Sequence, residues 1–146
     1  MKIIAGFFGE FHFLSNFEIS PFADRFGTKW ASNEHYYQAH KTADADWKKR
    51  IQEAETPGKA KGLGRKAPMH KAFELTKEII MVRGLRYKFQ QNNALREKLL
   101  ATGSSILIEE NNWGDQYWGQ CNGIGQNMLG KCLMIVRDEF AIYEIP

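Results

Sequence analysis

Long apolar runs, a cysteine framework and metal-ligand spacings are all missing from this chain, and each absence removes a class of protein. No apolar run approaches the ~20 residues needed to cross a bilayer. The N-terminal stretch MKIIAGFFGEFHF has one Lys and a short apolar run broken by Glu10 and His12, which does not read as a secretory leader. The two cysteines, Cys121 and Cys132, sit in unrelated settings, so a reduced, cytoplasmic protein with free thiols is expected. The histidines, His12, His35, His40 and His70, make no metal pattern, because His35 and His40 are one step too far apart to pair on a helix face. There is no Walker loop and no serine in a nucleophile elbow, and GQCNGIG departs from the dinucleotide fingerprint. Cys121 lacks an adjacent base that would activate it as a nucleophile. Neither a metal nor a cofactor is expected. Net charge is only +3, with bases and acids interleaved as in KKRIQEAE. That permits a phosphate-bearing ligand but lacks the basic stripe of a nucleic-acid-binding protein.

What is present fits one domain spanning 1–146. A chain of 146 residues with 43% hydrophobic content can bury a full core, and ten Phe suggest a core or pocket built from rings. KIIAGFF and FGTKWA read as short strands, joined by the turn-rich FLSNFEISPF. Ser32 or Asn33 caps a helix through EHYYQAHKTA, and DADWKKRIQEAE continues as a second. TPGKAKGLGRKA starts a third, with Thr56 as cap and Pro57 at its first position. In HKAFELTKEIIMVRGLRYKFQQ, the residues Ala72, Leu75, Ile79, Val82 and Phe89 follow helical spacing and predict the core face, with Gly84 a local weakness. NALREKLLAT predicts a shorter helix and SSILIEE a strand. Leu129, Cys132, Leu133, Val136 and Phe140 line one face of a closing helix. The expected class is α+β, mainly helical, a single compact domain with a few short strands near the N-terminus and before the glycine-rich loop.

That loop, WGDQYWGQCNGIGQN, gathers Trp113, Asp115, Tyr117, Trp118 and spaced glycines into one segment. Two carboxylates stand in unusual surroundings: Asp115 here, and Glu34 at the start of SNEHYYQAHK. Each also has an ordinary explanation. An acid in a first helical turn is favoured by the dipole, an Asp in WGDQ can bond its own backbone as a turn residue, and the rings beside them can simply be core.

Four segments, FLSNF, SNEHYYQAHK, GLGRKA and DQYWGQCNGIGQNMLGKCLMIVRDE, occur in this order and at suitable distances. Together they resemble the NADAR family, named for NAD and ADP-ribose, which includes bacterial riboflavin-intermediate N-glycosidases. The resemblance runs from Phe7 to Arg137. It implies a mainly helical fold that hydrolyses an N-glycosidic bond to a phosphorylated ribose. The substrate would be an early riboflavin-pathway ribosylamino intermediate or an ADP-ribosylated guanine base of nucleic acid. By the same resemblance Glu34 and Asp115 are catalytic, while Asn16, Lys41, Arg65, Trp118, Gly125 and Asn127 match the family's motif positions and bind substrate, with Tyr37 beside them. Phe73 stands where related glycosidases carry a Trp. No membrane association and no stable protein partner are implied.

The chemistry is consistent with that resemblance. Breaking a ribose C1'–N bond builds positive charge near C1', which a carboxylate stabilises, while a second acid helps the base leave. The expected arrangement sets Glu34 against Asp115 across a pocket lined by Trp118 and Tyr36 or Tyr37. Asp115 would be partly desolvated by Trp113, Tyr117 and Trp118, with aromatic faces stacking on the base. Bare backbone from Gly119 to Gly125, and the helix start after Asn127, would approach phosphate or ribose oxygens. A non-catalytic NAD or ADP-ribose binding module would use the same loop and rings without needing both acids.

Overall fold

A computed structural model of the chain describes residues 2–143 and shows an α+β, mainly helical fold. In chain order its elements are β1 (Ile3–Ala5), a 3-10 turn (Gly9–Leu14), β2 (Phe22–Ala23), β3 (Lys29–Trp30), α1 (Asn33–Ala39), α2 (Ala45–Gln52), α3 (Pro57–Lys66), α4 (Phe73–Gln91), α5 (Asn93–Ala101), β4 (Ile106–Ile108) and α6 (Met128–Tyr143). Internal contacts gather into two units, one spanning Asn16–Asn92, the other formed by the segments through Ser15 and from Asn93 onward.

The Asn16–Asn92 unit is organised around α1. Ser32 caps it, its Oγ accepting from the His35 N–H at 3.2 Å. Every residue of α1 is buried, and α2, α3, α4 and β3 all pack against it. A helix buried on all sides is ordinarily apolar throughout, yet this one reads NEHYYQA. Its polar groups bond inside the fold instead: Asn33 Nδ2 to Asn16 Oδ1 at 2.9 Å, Gln38 Nε2 to Glu34 Oε1 at 2.7 Å, and the His35 ring to Ser32 Oγ and the Ala54 carbonyl. The helix is shorter than EHYYQAHKTA suggests. It stops at Ala39 with His40 as its C-cap, and Asp44 already caps α2 by accepting from the Trp47 N–H at 3.0 Å. Thr56 and Pro57 open α3 as expected, Thr56 Oγ1 accepting from the Lys59 N–H at 3.1 Å.

The long helix α4 forms where the sequence places it but buries a different face. Its buried residues are Phe73, Ile80, Met81, Gly84, Leu85, Lys88 and Phe89, while Leu75 is 83% exposed and Ile79 58% exposed. Gly84 decides the orientation. A Cβ there would lie 1.9 Å from Asn33 Oδ1 and 2.8 Å from the Tyr36 ring, so the bare glycine is where α4 can come closest to α1. The expected core stripe through Leu75 and Ile79 lies off that contact.

In the other unit β1 and β4 pair in parallel, with Ile3 opposite Ile106 and the buried Ile4 opposite Leu107. The closing helix α6 packs on β4 through Leu129, Cys132, Leu133 and Val136, all buried as expected, while Phe140 is half-buried. Gly130 lets the helix approach the strand, since a Cβ at this position would lie 2.0 Å from the Leu107 carbonyl oxygen. Arg137 ties α6 to the preceding turn through the Ser105 carbonyl at 2.8 Å and Thr102 Oγ1 at 2.9 Å.

Candidate active site

Within the Asn16–Asn92 unit, Glu34, Tyr37 and Lys41 come together with the residues of α3. Glu34 sits in the first turn of α1, 6% exposed, with its N–H bonded to the Asn16 carbonyl at 3.1 Å. The α1 start is fixed further by Asn16, whose Oδ1 accepts from Asn33 and whose Nδ2 reaches Met81 Sδ at 3.4 Å. The Asn16 side chain is thus engaged in shaping the helix entrance. One turn on, the Gln38 amide donates to Glu34 Oε1 at 2.7 Å. Lys41 follows at the end of the helix, its ammonium 5.5 Å from the Tyr37 ring centre and 5.9 Å from that of Phe73. Those two rings meet edge to face at 5.5 Å, and Phe73 is buried. The position where related glycosidases carry a Trp is therefore a wall of this corner.

Charge at the corner is predominantly positive. Burial holds Lys41 below the usual lysine range, Glu34 pulls it back up, and Lys61 and Arg65 of α3 push it further down. Lys61 and Arg65 are one helical turn apart, so α3 presents both on the side that acts on Lys41. Lys61 also lies 5.9 Å from the Phe17 ring centre. A corner with a buried carboxylate, three cations, two rings and Glu74 as a second acid suits a ligand that carries phosphate and develops positive charge elsewhere. Tyr36, by contrast, belongs to the core. It is 2% exposed, packed edge-on against Phe22 and Trp30, and hydrogen-bonded to Arg83.

Asp115, Trp118, Gly125 and Asn127 lie in the loop between β4 and α6, in the other unit. Asp115 Oδ1 accepts from the Tyr117 N–H at 3.1 Å and the Trp118 N–H at 2.9 Å, the turn arrangement its sequence setting allows. Tyr117 and Trp118 stack at 5.0 Å, with their planes 12° apart. Trp113 is 63% exposed. Asn127, buried at φ +53°, uses its side chain on β4, donating to the Leu107 carbonyl and accepting from the Glu109 N–H, both at 2.9 Å. The start of α6 is not open to an anion at its first two N–H groups. Met128 and Leu129 donate to the Tyr117 and Trp118 carbonyls at 3.0 and 2.9 Å.

Two residues that sequence reasoning passed over organise these regions. Asn111, 7% exposed, holds the loop: Nδ2 donates to Glu109 Oε2 and the Asp115 carbonyl, and Oδ1 accepts from Asp115 and Trp113. Gln38 holds Glu34, and the i, i+4 spacing of an acid and an amide on one helix was the available signal.

The fold and the two sets of site residues define a member of a known group: the chain belongs to the NADAR domain family, matched over residues 6–141. It is 39% identical over 138 residues to N-glycosidase YbiA of Shigella flexneri, covering 92% of this chain and 83% of the relative. A riboflavin biosynthesis protein of Vibrio vulnificus is 38% identical over 117 residues, covering 77% of this chain and 31% of that longer protein. The NMR structure of the Escherichia coli protein YbiA matches with a TM-score of 0.90 at 36% identity, covering 99% of this chain and 88% of that one.

Proposed function

We propose that the chain is an N-glycosidase that hydrolyses the ribose C1'–N bond of a phosphorylated riboside. Water adds to C1', the base leaves with the shared electron pair, and the water's second proton ends on the base. Glu34 stabilises the ribosyl cation or orients the water, because a carboxylate at a helix start, gripped by Gln38, is rigidly held. Lys41, Lys61 and Arg65 take the phosphate, with Arg65 able to do so bidentately. Tyr37 and Phe73 supply ring faces, and Asp115 is the second carboxylate assigned to the reaction.

The single observation that carries this reading is the pairing of a buried, amide-held Glu34 with the cation cluster around Lys41. The names borne by its relatives support the reaction class, and that of the Vibrio protein favours ribosylamino intermediates of riboflavin synthesis as substrate. The test is incubation with such an intermediate and, separately, with an ADP-ribosylated guanine oligonucleotide, following release of free base or ADP-ribose. Glu34→Gln is expected to lower kcat by roughly 10²–10⁴ in the assay that responds. Ligand binding with no turnover of either substrate would make the chain a binding module.

A further inference from the structure

The amide that grips Glu34 is itself seated on a glycine. Gln38 is 3% exposed, and Gly64 of α3 is buried against it. A Cβ on Gly64 would lie 2.0 Å from Gln38 Oε1 and 2.8 Å from its Cδ, so the terminal amide occupies the space an alanine methyl would take. Gln38 Oε1 has no hydrogen-bond partner. An amide that leaves a buried oxygen unbonded forgoes a hydrogen bond that water would otherwise supply. Its orientation is therefore set by the other end, where Nε2 meets the Glu34 carboxylate at 2.7 Å. Both amides of α1 share this design, since Asn33 rests its own unbonded Oδ1 on Gly84 while Nδ2 bonds Asn16.

We propose that Gln38, wedged between Gly64 and Glu34, is a positioning residue for the glycosidase reaction. It holds Glu34 in one rotamer and keeps it ionised, and Gly64 exists to leave room for it. The inference rests on the reading of Glu34 as the reacting carboxylate. The donated hydrogen bond favours the charged carboxylate over the neutral acid. Of the neighbouring charges, Lys41 interacts with Glu34 directly, while Lys61 and Arg65 of α3 and Glu74 of α4 act on Lys41. His35 and His40 of the same helix turn to Ser32, the Ala54 carbonyl and the Tyr36 carbonyl instead.

The experiment compares pH–rate profiles of wild type, Gln38→Leu and Gly64→Ala on the substrate that the wild type turns over, with thermal melts alongside. Gln38→Leu keeps the bulk and removes the donor, so kcat is expected to fall at least about tenfold at neutral pH. The acid limb of the profile moves to higher pH, with partial recovery at high pH. Gly64→Ala drives the amide off Glu34 and also crowds Gln38 Cβ, 3.1 Å from the added methyl, so it is expected to reproduce the shifted limb, with the melts reporting the cost of that crowding. A Gln38→Leu enzyme with wild-type kcat and an unmoved acid limb overturns the proposal, even if Glu34→Gln is inactive. An active Glu34→Gln enzyme instead removes the reading of Glu34 on which the proposal rests.

Discussion

Asp115 Oδ1 accepts the backbone N–H of Trp118 at 2.9 Å, and the Trp118 carbonyl in turn accepts the N–H of Leu129 at 2.9 Å. One carboxylate oxygen thus sets the path of the loop that caps the start of α6. The acid has a structural duty whatever else it does, and a test of its chemistry must leave that duty intact.

Asp115→Asn does so, because an amide oxygen can accept the same two N–H groups. With the loop retained, kcat is expected to fall roughly 10²–10⁴-fold through loss of charge and proton transfer, with the melting temperature close to wild type. Asp115→Ala removes the acceptor as well and is expected to cost a further ~1 kcal/mol or more of stability. Kinetics and melts on the pair separate the two roles. Near wild-type turnover by the Asn variant would leave Asp115 with its structural duty alone.

Gly125 belongs to the stretch of bare backbone expected to approach a ligand, and a glycine there can also serve a turn that needs positive φ. Its conformation points to the second role. Gly125 sits at φ +145°, where a Cβ would lie 2.3 Å from the Gly119 carbonyl and 3.0 Å from the Gln116 Cα. Gly125→Val is therefore expected to lose about 1–3 kcal/mol of stability. Gly123, at φ +77° with nothing within 4 Å of a Cβ, provides the comparison. Gly123→Ala should lose less, and equal melting temperatures for the two variants would contradict the steric argument.

Much of the fold was legible because local signals agree with the outcome: Ser32, Thr56 and Pro57 mark helix starts, and the apolar stripe of α6 is its buried face. The face of α4 was not. Leu75 and Ile79 look like core and stand in solvent, while Gly84 and Lys88 look peripheral and are buried. What decides is α1, several of whose polar side chains bond partners distant in sequence, such as Asn16 and Ala54. Glu34 was visible as a candidate and its i, i+4 spacing from Gln38 was legible, but the glycine that α3 brings against Gln38 was not. For Asp115 the ordinary turn explanation read from WGDQ describes what its Oδ1 does.

Arg65 is exposed on α3, and its charge acts on Lys41. On the proposed reading, a phosphate held there would lie away from the breaking bond. Arg65→Ala is expected to raise KM about tenfold or more, the size of one charged contact, while kcat changes little. Lys61→Ala is expected to act in the same direction. Steady-state kinetics decide, and a large fall in kcat at unchanged KM would rule out the phosphate assignment for Arg65.

Lys88 supplies a prediction independent of catalysis. Its side chain is wholly buried in α4, and burial pushes its pKa down from 10.5 to about 7, with Glu18 acting in the opposite direction. The unfolded chain keeps an ordinary lysine. Between pH 7 and about 10.5 it therefore binds more protons than the folded chain, and stability rises with pH across that window. Below pH 7 both states carry the proton and the full penalty of burying it remains. Lys88→Met keeps most of the stem and removes the charge, while the half-buried Glu18 retains access to water. The variant is expected to be more stable than wild type near neutral pH, by on the order of a few kcal/mol. That advantage should shrink as the pH is raised toward about 9.5. Urea denaturation of both proteins at the two pH values reads this directly: a wild-type stability that rises no more steeply with pH than that of Lys88→Met would show that Lys88 is charged in the folded protein throughout.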